Sequence, residues 1–162
     1  MRTEIERATA ALLALAAALA TGPTAAADPA GSAAAVSNRA EGPTFEVLLD
    51  PPASAKAGKP ASARVVIRSR GPYHVNRDYP LAFDPAEDAN AWPARDRIPL
   101  TAGEHTPCAD QAGESCSVAA PLAFTPAAAG AVRVSGTVRF SVCSADRCLI
   151  EKQPLALTVT AR

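Results

Sequence analysis

The 162-residue sequence predicts an all-β fold of two packed antiparallel sheets, and three observations carry that prediction. Apolar and polar residues alternate in short runs. Fifteen prolines and nine glycines interrupt the chain too often for long helices. The 48% hydrophobic fraction is dominated by alanine and valine, with aromatics at only 4%, which disfavours a helical bundle. The length bounds the chain to one core with appendages, and no internal repeat is present.

The first segment is read as a secretory signal peptide over residues 1–27. Arg2 and Arg7 precede the Ala/Leu run Ala8 to Ala20, Thr21-Gly22-Pro23 breaks it, and Ala25-Ala26-Ala27 supplies an A-x-A cleavage site before Asp28. Glu4 and Glu6 weaken the basic start, but the apolar run is short for a bilayer span, so cleavage is preferred to an uncleaved anchor. No later stretch is long and apolar enough to insert in a membrane, and no cysteine precedes Cys108 to carry a lipid. The expectation is a periplasmic or secreted mature protein in a disulfide-permissive compartment. Residues 28–43 are Ala, Ser, Gly and Pro with scattered charge and no apolar periodicity, and are read as a disordered tether.

The folded domain is expected over residues 44–162. Phe45, Val47 and Leu49 alternate with polar residues until Pro51-Pro52 stops the strand. Further strands are read at Ala63 to Ser69, Tyr73 to Asn76, Leu81 to Phe83, Ile98 to Leu100, Ser117 to Phe124, Val132 to Val142 and Leu155 to Thr160. Short strands at this spacing, divided by Gly, Pro, Asn and Asp turns, imply an immunoglobulin-like antiparallel β-sandwich. In the clearest strand Val132, Val134, Val138, Phe140 and Val142 share one parity and Arg133, Ser135, Thr137, Arg139 and Ser141 the other. Cys143 falls in phase with the polar set, away from the core or at its rim, and is expected to be open to a partner.

Sixteen basic residues balance sixteen acidic ones, so no excess of positive charge supports binding to nucleic acid. Two separated histidines and one methionine make no catalytic metal constellation, and no cofactor motif is recognisable. Asp84, Glu87, Asp88 and Asn90 lack regular calcium-ligand spacing and are read as a solvated loop. His105 is read as solvated in a loop, and Trp92 as a loop anchor over the core.

The chemistry is expected at the four cysteines. Cys143 and Cys148 form a C-x4-C pair near a hairpin, which suits a local bridge, structural or exchange-active. Arg139, Arg147 and Lys152 lie near it in sequence, where positive charge would favour a thiolate, but the strand parity does not place their charges near the sulfur. Cys108 and Cys116, spaced C-x7-C around Gly113, are read as a structural disulfide on a loop; a four-thiolate zinc site fits neither the spacing nor an oxidising compartment.

The run Phe140-Ser141-Val142-Cys143 through Cys148-Leu149, with Lys152 and the strand Leu155 to Val159, resembles the N-terminal periplasmic domain of DsbD-type thiol:disulfide interchange proteins. Gly71-Pro72-Tyr73-His74-Val75-Asn76 and Tyr79-Pro80 are similar to that family's glycine, aromatic, histidine stretch. The resemblance spans roughly Thr44 to Thr160. It implies an immunoglobulin-like domain whose Cys143/Cys148 pair takes electrons from a thioredoxin-like donor and passes them to periplasmic disulfide-bearing proteins. Tyr73 and His74 would shield the pair or contact a partner; the plainer reading is that Tyr73 packs and His74 sits on the strand face. The chain departs from the family in Ile150-Glu151 after Leu149, in the missing membrane and thioredoxin-like domains, and in the added Cys108 and Cys116. Of the two sulfurs, Cys143 is expected to attack first because of its exposed phase. The alternative function is a non-catalytic secreted binding sandwich with two structural disulfides and its site in the loops; a subunit of an envelope assembly held by the tether is a third.

Overall fold

The computed structural model describes residues 36–87, 90–92, 97–101 and 103–162. The signal-peptide reading and the first part of the tether, residues 28–35, lie outside the described residues. Ten strands run in order: β1 Arg39–Glu41, β2 Phe45–Asp50, β3 Ala61–Ser69, β4 His74–Val75, β5 Ala82–Pro85, β6 Ile98–Pro99, β7 Glu104–Pro107, β8 Ser115–Phe124, β9 Gly130–Cys143 and β10 Cys148–Ala161. All pairings are antiparallel. None of the described residues forms a helix, so no helix there is long and apolar enough to cross a membrane.

The strands form two layers, β1-β2-β3-β8-β7 and β10-β9-β5-β6, with β4 joining β8 to β9 at one end. That neighbour order is the one an immunoglobulin-like sandwich requires. Val47, Leu49, Val65, Ile67, Ala120 and Leu122 line the inner face of the first layer; Phe83, Val134, Val138, Phe140, Val142 and Leu155 line that of the second. Phe45 and Phe140 meet edge to face across the interior, with ring centroids 5.1 Å apart. Trp92 anchors its loop as its sequence context suggests: its indole N–H donates to the Ala123 carbonyl at 2.9 Å and its ring rests on Phe83 and Phe124.

Two strands depart from the sequence reading. Residues 39–41, placed in the tether, form β1 against β2. The chain reverses at Gly42-Pro43, where the Gly42 N–H bonds the Phe45 carbonyl, and Arg39 and Arg70 reach Glu41 and Glu46. Backbone pairing and ion pairs hold this edge, so it carries no apolar alternation to read. β7, held by backbone pairing to β8, likewise carries no apolar alternation, its four residues all being exposed; His105 therefore stands on a strand, its Nδ1 3.1 Å from the Ser115 hydroxyl, and not in a free loop.

Asp84, read as part of a solvated acidic loop, instead lies on β5 between Arg97 at 2.7 Å and Arg139. Hydrogen bonds from Arg97 and then Arg139 hold its carboxyl below the usual carboxylate range. The contribution to stability is present above pH 3.8, the ordinary value, and disappears as pH falls through the lowered folded value. Asp84→Asn is therefore expected to reduce stability at neutral pH by under about 1 kcal/mol, because Arg97 is open to water. The difference from wild type should close below pH 3.8; urea melts at pH 7 and in acid that showed a constant difference would exclude this linkage.

Candidate functional site

β9 and β10 pair over fourteen residues without a register shift, from Gly130↔Ala161 to Cys143↔Cys148. At the hairpin end the Ser144 N–H bonds the Arg147 carbonyl at 2.8 Å, leaving Ala145-Asp146 as the tip. The next pair inward, Cys143 and Cys148, is then a non-hydrogen-bonded pair, the arrangement in which Cα atoms come closest. Their Cα atoms are 4.0 Å apart and the two sulfurs are joined. The local pairing expected from the C-x4-C spacing is therefore a consequence of hairpin register.

The two cysteines are not equivalent. Cys148 is exposed, whereas Cys143 is only 6% exposed. The sequence phase leaves Cys143 open to a partner; the fold corrects this, because β9 is an inner strand with β10 on one side and β4 on the other. Ser135 and Ser141, of the same parity, are buried as well. The reachable end of the bridge is Cys148.

His74 stands directly opposite Cys143 in the β4–β9 pair. Its Nδ1 lies 3.1 Å from Gln111 Oε1 and its Nε2 3.2 Å from Glu114 Oε2. Gln111 donates its own amide N–H to the Pro72 carbonyl, which directs its oxygen at the ring. Both contacts are to acceptors, so the imidazole satisfies both only when each ring nitrogen carries a proton. Gln111 and Glu114 come from the loop closed by Cys108–Cys116, where Gly113 adopts φ +85° to turn the chain. The second disulfide is thus a clip, as its spacing suggests, and its loop also braces the histidine beside the first.

Tyr73 is buried, and its hydroxyl accepts hydrogen bonds from the Arg147 guanidinium at 3.4 Å, tying the hairpin to β4. That bond raises the Arg147 pKa further above its ordinary value. Tyr73 therefore packs, as the plainer reading has it, while also contacting the cysteine hairpin. Of the three nearby cations, Arg139 is engaged by Asp84 and Arg147 by Tyr73, and Lys152 stands exposed on β10. The contacts of Gln111, Glu114 and Arg147 escape sequence reasoning because they join segments far apart in the chain.

A cleft of about 660 Å³ opens over this end, bordered by Cys143, Cys148, Ser144, His74, His105 and Glu114. A deeper hollow of about 280 Å³ adjoins it through Asn76, Arg77 and Asp78, with Phe140 and Val118 in its wall. No cluster of His, Cys, Asp or Glu among the described residues has the geometry to hold a metal ion. The arrangement offers one accessible sulfur, one buried sulfur and an imidazole braced across the strand from the buried one.

The fold and site define an immunoglobulin-like sandwich with two disulfides gathered at one end. No protein-family model matches the chain, and no curated protein matches it. Among solved structures it is similar to the ASH / PapD-like domain of human CEP192 (PapD-like domain 7), with a TM-score of 0.32 and 10% sequence identity over 76% of this chain and 89% of that one.

Proposed function

We propose that this protein is an exported thiol-disulfide exchange module acting through Cys143 and Cys148, exchanging electrons between a thioredoxin-like dithiol protein and disulfide-bearing partners. The observation that carries the reading is the asymmetry of the bridge, with Cys148 exposed at a cleft and Cys143 buried opposite His74. A partner thiolate attacks Cys148 Sγ; the Cys143–Cys148 bond breaks, a partner–Cys148 disulfide forms, and Cys143 leaves as a thiolate. His74 stands opposite the leaving Cys143 in the β4–β9 pair. The partner's second thiol then attacks the partner sulfur of the mixed disulfide, releasing reduced Cys148. Two electrons pass to the module and the partner ends oxidised. In the reverse direction Cys148 is the attacking thiolate. The presence of two disulfides supports an oxidising compartment.

The second reading is a binding sandwich with two structural bridges, favoured by the burial of Cys143. The reduction potential of the Cys143/Cys148 pair decides between them, measured by equilibration against glutathione with mass-spectrometric counting of trapped thiols. Exchange predicts a value between about −270 and −120 mV, the range of catalytic dithiols. A value below about −300 mV marks an inert bridge and ends the exchange reading.

A further inference from the structure

Among the described residues, the outer edge of β10 beside the exposed cysteine has no strand partner. Because Ser144 and Arg147 form the hydrogen-bonded pair, residues 149, 151 and 153 direct their backbone groups to β9, and Cys148, Ile150 and Lys152 direct theirs outward. The alternation is verified further along: Ala156, of the same parity, donates its outward N–H to the Ser37 carbonyl at 2.9 Å. At Ala156 this edge is therefore already hydrogen-bonded to the protein's own chain. Pro154, also of outward parity, has no N–H to offer and separates the covered part from the open part.

The open part has an apolar side chain. Ile150 is 61% exposed and shares a face with Cys148, two residues away. Val36, the other large apolar residue exposed among the described residues, adjoins Ser37 at the covered part of the same edge. A strand added to the outer side of β10 would stand in a hydrogen-bonded pair with Cys148, at a Cα separation of about 5.5 Å. That is the commonest separation for a disulfide.

We propose that the outward edge Cys148–Ile150–Lys152 docks an extended, cysteine-bearing segment of the redox partner as an added antiparallel strand, which places the partner cysteine opposite Cys148. This rests on the exchange reading and specifies how the partner is held. The backbone bonds supply orientation independent of sequence, and Ile150 supplies a preference for an apolar side chain two residues from the partner cysteine.

The test uses the full oxidised protein and two probes: 2-mercaptoethanol, which has no backbone, and a synthetic eight-residue Val/Thr peptide with one central cysteine. The rate of mixed-disulfide formation is followed by mass spectrometry. Ile150→Pro removes an outward N–H that β9 does not use, and Ile150→Ala keeps it. The expected result is a peptide rate about tenfold lower in Ile150→Pro than in Ile150→Ala, as the loss of one or two hydrogen bonds implies, with 2-mercaptoethanol rates equal within about twofold. A peptide N-methylated at alternate residues, used on the unaltered protein, should lose the same factor without any change to the fold. If peptide and 2-mercaptoethanol both react but N-methylation and Ile150→Pro change nothing, the docking edge is refuted while exchange stands. If neither probe reacts, exchange and docking fall together. If sedimentation shows a dimer that Ile150→Pro dissociates, the edge belongs to a second copy of this chain and the proposal is overturned.

Discussion

Cys143→Ala, which leaves Cys148 as the only thiol of the pair, is expected to react with an aromatic disulfide reagent at a rate typical of an exposed thiol. Cys148→Ala, which leaves Cys143, is expected to react about a hundredfold more slowly, because reaching a buried sulfur requires local opening costing about 2–3 kcal/mol. The comparison is fair because each variant loses the same bridge. By the loop-entropy relation a ring of about six residues contributes only about 2.2 kcal/mol, and the fourteen paired residues of β9 and β10 remain. The variant that should retain a mixed disulfide with oxidised glutathione is then Cys143→Ala: the Cys148 thiolate attacks the glutathione disulfide, one glutathione leaves as the thiol, and no Cys143 sulfur is left to displace the other from Cys148. Stopped-flow absorbance with the two purified variants checks the rates, and non-reducing mass spectrometry checks the adducts. Equal rates would mean that burial of Cys143 does not order the exchange, and the assignment of Cys148 as the attacked sulfur would have to be withdrawn.

The order of attack is also where sequence and structure differ most usefully. Alternation along β9 places Cys143 with Arg139 and Ser141, and that phase is correct; what alternation does not report is what covers the polar face. The burial comes from β4, a strand of two residues whose partners lie 40 positions away in β8 and 67 to 69 positions away in β9. Long apolar-alternating strands such as β2, β3, β8 and β9 are legible because each buries one face against a common core. The edge strands β1 and β7 are not, because backbone pairing holds them instead of burial, joined in β1 by ion pairs. The disulfide partners are legible from spacing alone, since hairpin register makes Cys143 and Cys148 neighbours. The link between the two disulfides is not: it runs from Gln111 and Glu114 of the Cys108–Cys116 loop to His74 on β4 and on to Cys143 on β9, three segments with no shared local pattern.

Gly136→Val is expected to be the most damaging substitution outside the cysteines, lowering unfolding free energy by about 3 kcal/mol, at the top of the range for overpacking. Nothing in the local sequence marks this glycine, which sits in the middle of the β9 alternation where valine would fit the pattern on both sides. Its importance comes from β5. Gly136 pairs with Pro85, and a Cβ there would come within 2.6 Å of the Phe83 ring and collide with the Asp84 carbonyl oxygen. Phe83 is fully buried against Trp92, so the ring has no space to yield, and the carbonyl is backbone. A β-branched residue adds two methyl groups to the same collision. To admit it, β5 must move away from β9, which pulls Asp84 from Arg139 and opens the second layer beside the core. Urea denaturation of Gly136→Val, with Gly136→Ala as the milder step, measures the series. The expected order is wild type, alanine, valine, each less stable than the last, and a valine variant within about 0.5 kcal/mol of wild type would be the outcome of an ordinary surface substitution, incompatible with the close approach of β5 to β9 at this point.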